Sequence, residues 1–393
     1  MVSLVRRALR SARRRIRAAR HRKHGPIYLV SAAGQPNFGD EFITRAWLDW
    51  LARHHPRRHV WLDCMEPGRA AHLFRNTHPL LHTTNTLWQT AHSLGTDDVE
   101  SSAATMERLV TQLGSPKVDF GLRDLRGMAS IHLLGGGYFN TIWHRNLGII
   151  AAVTAVKRNY GVRIYATGQG LLPHESESQE WMKAQLAQFD YVESRDARGS
   201  ALFDIHAGTD DAFLAFQNSR PVYADRADLP DAMVLVQGDM VDEERVGQIS
   251  ACIDDFLDAA GPDASVGFAE AIPPEDGRFA ESRVRDGAEF FPFMRIWDEG
   301  FPAYEGQTWL TSRFHFHLLA AAAGARGTVL NVRPGYYDIK HELLLELGTG
   351  WTLQSEEKDA SASAPATSLK SFPAHARKLG RHKARLARRL YPM

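Results

Sequence analysis

The densest group of chemically capable side chains in the sequence is Thr311-Ser312-Arg313-Phe314-His315-Phe316-His317, followed by the small-residue run 318–324. Small side chains there suggest a helix packed closely on a sheet. Arg313 and His315, near its start, would then face a ligand. A fixed cation and a titratable imidazole at a helix N-terminus can hold an anion and exchange protons with it. His317 competes with His315 for that role. Spacing does not choose between them, and a buried structural histidine is the commoner fate for one of the two.

Three glycine-bearing loops follow candidate strands. Gly34-Gln35-Pro36-Asn37-Phe38-Gly39-Asp40-Glu41 separates a strand from a helix. There glycine lets backbone approach a ligand, and Asp40 can cap the helix and still offer an oxygen to a substrate hydroxyl. Leu134-Gly135-Gly136-Gly137-Tyr138-Phe139-Asn140 matches neither a dinucleotide fingerprint nor a phosphate loop ending in Gly-Lys-Ser/Thr. Thr167-Gly168-Gln169-Gly170 ends a further strand in the same way. Ligands of open parallel sheets bind beyond the carboxyl ends of the strands, so these loops predict one shared rim. Arg195 stands at another strand end, where its planar fork suits a carboxylate or phosphate; the alternative is an internal ion pair with Asp196 or a neighbour. Lys340, in Tyr337-Asp338-Ile339-Lys340, follows a late strand and is either a surface lysine or a further cation of the site.

Alternating short apolar runs and helical patterns must position these residues. Residues 26–33 (PIYLVSAA) read as a buried strand, and residues 41–54 as a helix with Phe42, Ile43, Ala46, Trp47, Trp50 and Leu51 inside. Further strands are expected at 59–65, 130–134, 163–167, 191–194, 232–237, 265–269 and 328–332, with a helix at 242–260. Such alternation predicts parallel sheets covered on both faces, here as two doubly wound α/β lobes facing a cleft. The divisions are a basic amphipathic extension (1–24), an N-terminal lobe (25–220), a C-terminal lobe (221–355) and a linker with a basic helix (356–393).

The 393 residues, 44% hydrophobic and 24% charged, describe an ordinary globular protein too long for one core. Its net charge of +1 hides an uneven distribution. Residues 1–24 carry ten Lys or Arg and no acid, and residues 370–393 carry eight and no acid. Setting those 18 of the 47 aside leaves 29 basic against 46 acidic residues. An acidic body with basic ends argues against nucleic-acid binding and for tails touching an anionic membrane. Cys64 and Cys252 are the only cysteines, which favours a reducing compartment. With no apolar run of spanning length and no secretory h-region, a cytoplasmic protein, peripheral at the inner face of the membrane, is expected.

Taken in order, these motifs resemble the polysaccharide pyruvyl transferase family. The resemblance rests on Asn37, Gly39 and Asp40; on residues 133–137 with Gly136 and Gly137; on Gly168, Gln169, Gly170 and Pro173; on Arg195 and Asp196; on Ser312, Arg313 and His315; and on Tyr337, Asp338 and Lys340. It implies a two-lobed, Rossmann-like GT-B-like fold and transfer of pyruvate from phosphoenolpyruvate, the donor, onto a sugar or lipid-linked glycan as a ketal, in polysaccharide biosynthesis of the cell envelope. In that scheme Arg195, Arg313 and Lys340 hold the donor, His315 is the general acid and Asp40 the base, and neither a metal nor a cofactor is required. Asn37, Gly39, Gly136, Gly137 and Gln169 complete the substrate-binding set. The alternatives are a metal-independent glycosyltransferase using a nucleotide sugar on the same fold, and a non-catalytic membrane- or partner-binding relative.

Overall fold

The protein is described here by a computed structural model covering residues 21, 23–96, 98–239, 241, 243–332, 337–354 and 372–393. Nearly all of the predicted N-terminal extension, residues 355–371 of the linker, and the side chains of Tyr337 and Asp338 lie outside the described residues.

The chain divides into two compact units. The first comprises the residues up to Gln35, Ile43–Asp211 and Lys383–Met393; the second comprises Pro36–Phe42 and Ala212–His382. The first holds seven parallel strands: β1 (Ile27–Val30), β2 (Val60–Asp63), β3 (Leu81–Thr84), β4 (Ser130–Leu133), β5 (Arg163–Gln169), β6 (Tyr191–Ser194) and β7 (His206–Ala207). Their spatial order is β3-β2-β1-β4-β5-β6-β7. The second holds β8 (Ala232–Leu235), β9 (Val266–Ala269), β10 (Glu289–Phe291), β11 (Thr308–Thr311), β12 (Arg326–Leu330) and β13 (Thr352–Gln354), ordered β10-β9-β8-β11-β12-β13 and again parallel. Both orders grow outward from their first strand and then reverse. The switch points lie between β1 and β4 and between β8 and β11, and both units are Rossmann-like.

Local sequence explains the central strands. β1 and β4 are buried along their whole length, as a sheet covered on both faces demands. The helix Phe38–His54 buries all six of the residues expected on its inner face. Five strands were not anticipated: β3, β7, β10, β11 and β13. Four of these lie at or near sheet edges and are short or half-exposed, so they lack the continuous apolar run that marks a central strand. β11 is central, but Thr308 and Thr311 flank only two apolar residues. The strand expected at 328–332 runs instead from Arg326 to Leu330.

The basic C-terminal segment forms the helix Phe372–Leu390, whose Leu386, Ala387 and Leu390, with Tyr391 just beyond, are buried within the first unit. One of its cations is buried too. Lys383 contacts Asp211 Oδ1 at 2.8 Å, pairs with Glu193 Oε1, and donates to the Thr209 carbonyl at 2.6 Å. Burial alone would lower its pKa, but Asp211 and Glu193 outweigh that and hold it above the ordinary lysine range.

Asp211 in turn orders the sheet. Its Oδ2 accepts from Trp47 Nε1 (2.8 Å), the Gly135 amide (3.0 Å) and Thr167 Oγ1 (2.7 Å). With the Thr167 hydroxyl proton given to Asp211, His132 Nε2–H must donate to Thr167 Oγ1 (2.9 Å), leaving His132 Nδ1 to accept from the Tyr391 hydroxyl (2.9 Å). That tautomer is neutral, and burial lowers the imidazole pKa to about 3. No described helix is long and apolar enough to cross a membrane.

Candidate ligand site of the second unit

Residues following β8 and β11 assemble at the second switch point. Ser312 joins the two loops: its amide donates to the Leu235 carbonyl (3.1 Å) and its Oγ accepts from the Gln237 amide (2.9 Å). A buried histidine pair holds Ser312 from behind. His341 Nε2 donates to the Ser312 carbonyl (3.1 Å), so its Nδ1 accepts from His317 Nδ1 (3.4 Å), and His317 Nε2 accepts from the Thr349 hydroxyl (3.0 Å). Burial, then His341, push the His317 pKa well below the usual value. His317 is therefore neutral and structural, and the two histidines that spacing could not separate are distinguished by burial.

Arg313 is the last residue before the helix Phe314–Ala323. Its Nη2 donates to Asp276 Oδ1 (2.6 Å) and Asp239 Oδ1 (2.5 Å), and its Nε to Asp276 Oδ2 (3.3 Å). Asp276 is fully buried as a side chain and also accepts from the amides of Ala271 (3.0 Å) and Ile272 (2.9 Å). Burial raises its pKa, and Arg313 opposes that rise. Asp239 is the more open partner, with about a third of its side chain exposed, and stands just after β8. Neither aspartate was anticipated. Gly238-Asp239 beyond an apolar run carried a usable signal, since a polar turn at a strand's carboxyl end is where ligands sit. Asp276, inside a Pro-Pro-Glu-Asp-Gly stretch, carried none.

The segment Pro36–Phe42 belongs to this unit. Phe38 donates its amide to the Ala271 carbonyl (3.0 Å), and its ring meets Phe293, Trp297, Phe301 and Phe316 at centroid distances of 5.4–6.3 Å. This anchors Gly39 against His315. A Cβ built on Gly39 would lie 1.9 Å from His315 Nδ1. Asn37 Nδ2 donates to Asp40 Oδ2 (2.8 Å), and the Gly39 amide reaches Asn37 Oδ1 (3.3 Å). Asp40 stands in the first turn of its helix rather than ahead of it. Gly39→Ala is expected to displace the imidazole and change the His315 ring chemical shifts read by NMR, with a stability loss of about 1–3 kcal/mol. An unchanged His315 resonance in that variant would show the ring to be held by other groups. Lys340 lies half-buried in the helix Tyr337–Glu346 that follows β12.

In the first unit the rim residues expected to meet a ligand are engaged by the protein itself. Arg195 is buried, and its Nη1 pairs with Asp210 Oδ2 at 2.9 Å. The internal ion pair weighed from the sequence is thus present, but with Asp210; Asp196 instead caps the helix Ala197–Phe203 through the Gly199 amide. Gln169 Nε2 donates to the carbonyls of Leu133, Leu134 and Thr167. Gly136 accepts from the Gly170 amide (2.8 Å), and the Gly137 carbonyl accepts from Asn140 Nδ2 (3.0 Å). The neighbouring glycines make room for side chains: a Cβ on Gly135 or Gly168 would meet Asp211, and one on Gly170 would meet the Arg195 guanidinium.

A cavity of about 1040 Å³ in the second unit lies away from this chemistry. It is bounded by Pro230, Ser265 and Ala288, ahead of β8, β9 and β10, and its Arg283 and Arg295 are paired with Asp254, Glu289 and Glu299. Among the described residues, no group of three or more His, Cys, Asp or Glu side chains is placed to hold a metal ion.

Solved structures share this architecture. The S. aureus MnaA-UDP co-structure matches at a TM-score of 0.51 with 12% identity, covering 94% of this chain and 90% of that one. The UDP-GlcNAc 2-epimerase from Neisseria meningitidis bound to UDP-GlcNAc matches at 0.51 with 8% identity, covering 93% and 99%. The fold is of the GT-B type. No protein-family model and no curated protein matches the sequence.

The resemblance to pyruvyl transferases is therefore corrected. No family model supports it, and the two structures of this fold given above hold UDP and UDP-GlcNAc, not phosphoenolpyruvate. The physical reason lies in the two arginines, Arg195 and Arg313. Each was to bring an uncompensated cation to a small trianion, and each is engaged by carboxylates of its own unit. Phosphoenolpyruvate is withdrawn as donor and partner. Short motifs built from Gly, Asp, Arg and His recur at the strand ends of any open parallel sheet, because ligand approach and close packing demand the same residue types there.

Proposed function

We propose that the chain is a glycosyltransferase using a nucleotide sugar, with the donor diphosphate bound at the rim of the second sheet. The observation that carries this reading is the group assembled where β8 and β11 diverge: Asp239 after one strand, and Arg313 and His315 after the other, at the start of a ten-residue helix. The first N–H groups of that helix suit phosphate oxygens, with its dipole and His315 adding to the attraction. Asp239 is suited to accept from a ribose or sugar hydroxyl. Arg313 is the scaffold that aims it, being itself fixed by buried Asp276. Asp40 is the candidate acceptor of a sugar hydroxyl proton, and Lys340 a further cation for the diphosphate. Transfer breaks the bond from the anomeric carbon to the phosphate oxygen and forms one to an acceptor oxygen. The acceptor's proton leaves to a base, and negative charge gathers on the departing diphosphate, where helix and imidazole stabilise it.

Support comes also from the fold, which the S. aureus MnaA-UDP co-structure and the N. meningitidis epimerase bound to UDP-GlcNAc share. The second of these favours an alternative, epimerisation of a nucleotide sugar without transfer. Calorimetry with UDP-, GDP- and dTDP-sugars tests the common premise: at least one is expected to bind and raise Tm. Nucleoside diphosphate released only when a glycan acceptor is present would identify transfer, and an epimeric sugar formed without acceptor would identify the alternative. Failure of every nucleotide sugar to bind would end both readings.

A further inference from the structure

Beyond the donor site, we propose that the rim of the first sheet beyond β4 and β5 is a saccharide-binding platform built on Trp143, His144 and Glu175. The inference deepens the proposed glycosyl transfer by giving the sugar acceptor a subsite, and it rests on that reading. Three aromatics, Tyr138, Phe139 and Trp143, follow β4 within ten residues, and the fold treats them differently. Tyr138 and Phe139 are buried, whereas Trp143 is 48% exposed at the end of the 3₁₀ turn Thr141–Trp143.

A large indole left in water at a rigid position is unusual, and its neighbours show how rigid this one is. The loops beyond β4 and β5 are tied together, since the Thr141 amide donates to the Pro173 carbonyl (3.3 Å) and the Glu175 amide to Thr141 Oγ1 (3.2 Å), while Asn140 Nδ2 braces the first loop on the Gly137 carbonyl (3.0 Å). Buried Asn140 also accepts from the Ile142 amide (3.1 Å), and Asn146 Nδ2 donates to the Tyr138 carbonyl (2.8 Å). Across this shelf His144 Nε2 meets Glu175 Oε2 at 3.3 Å, with 32% and 59% of those side chains exposed.

A pyranose ring fits that arrangement chemically. Its C–H face packs on an indole, and its hydroxyls pair with a carboxylate and an imidazole. Trp supplies broad contact at small cost in conformational freedom, with one polar edge left for water or a hydroxyl. The platform lies wholly in the first unit, at carboxyl strand ends, where the Rossmann-like topology places ligands.

Full-length protein labelled with 5-fluorotryptophan and titrated with cellobiose, N,N′-diacetylchitobiose, lactose and mannobiose tests the proposal by ¹⁹F NMR. At least one sugar is expected to shift the Trp143 resonance saturably. Trp143→Ala is expected to weaken that sugar roughly five- to tenfold, with Trp143→Tyr retaining part of the affinity and UDP binding unchanged in both. A protein that binds UDP but shows no shift at Trp143 with any of these sugars overturns the platform and leaves the donor reading standing. A Trp143→Ala variant that binds sugar as the parent does also overturns it.

Discussion

Replacing Lys383 by methionine is expected to destabilise the first unit by about 3–5 kcal/mol, enough to unfold a marginal domain at physiological temperature. Methionine matches the length of the lysine stem but removes the charge that two buried carboxylates share. Glu193 and Asp211 are both essentially inaccessible to water, and the Thr209 carbonyl would lose its donor as well. Differential scanning calorimetry reads the effect. Adding Glu193→Gln to Lys383→Met should recover part of the loss, because one of the two stranded charges is then gone. If the single variant melts with the parent, the cluster contributes nothing and the helix is held by Leu386, Leu390 and Tyr391 alone. The pH dependence has a definite sign. A lysine whose folded-state pKa is raised gives stability that is fully present below its unfolded value of about 10.4 and is lost only as pH rises beyond it. On the alkaline side the cluster is therefore expected to hold at full strength through neutral pH and to weaken only in strong alkali.

Arg313→Ala is expected to abolish nucleotide-sugar binding and to cost the second unit about 3–5 kcal/mol at neutral pH. It removes both hydrogen bonds that the guanidinium gives to Asp276 and leaves that carboxylate buried with only the two amides of Ala271 and Ile272. Arg313→Lys is expected to recover little, because an ammonium cannot serve the two oxygens of Asp276 and the Asp239 carboxylate together. Acid should partly rescue stability. Burial already raises the Asp276 pKa, and without Arg313 it rises further, so the protonated form becomes the favoured buried one. A raised carboxyl pKa means stability that is present below the unfolded value of about 3.9 and lost as pH climbs through the folded value. The gap between Arg313→Ala and parent stability should accordingly narrow as pH falls from 7 towards 4. A gap independent of pH would place the cost in packing rather than in a stranded charge.

Local signals in the chain were enough to read its fold class. Continuous apolar runs such as Ile27–Val30 and the 3.6-residue periodicity of the helix Phe38–His54 are local signals, and alternating them permits few arrangements other than covered parallel sheets. The sequence also located His315 and Arg313 beside each other at a helix start. What it left open was the partner of every charge. Arg195 reads the same whether it awaits a phosphate or meets Asp210, because the two fates need the same fork and differ only in a residue that folding brings near. Lys383 reads as one more cation of a basic tail until the turn after β7 and the strand β6 set Asp211 and Glu193 around it, 172 and 190 positions earlier in the chain. His315 and His317 differ by two residues and by nothing in type, yet a helix turns neighbours so spaced to different faces, and burial left one neutral in the core and the other against Gly39. Composition and periodicity are properties of segments. Charge compensation is a property of pairs far apart in sequence, so only the tertiary structure could decide which cations serve the fold.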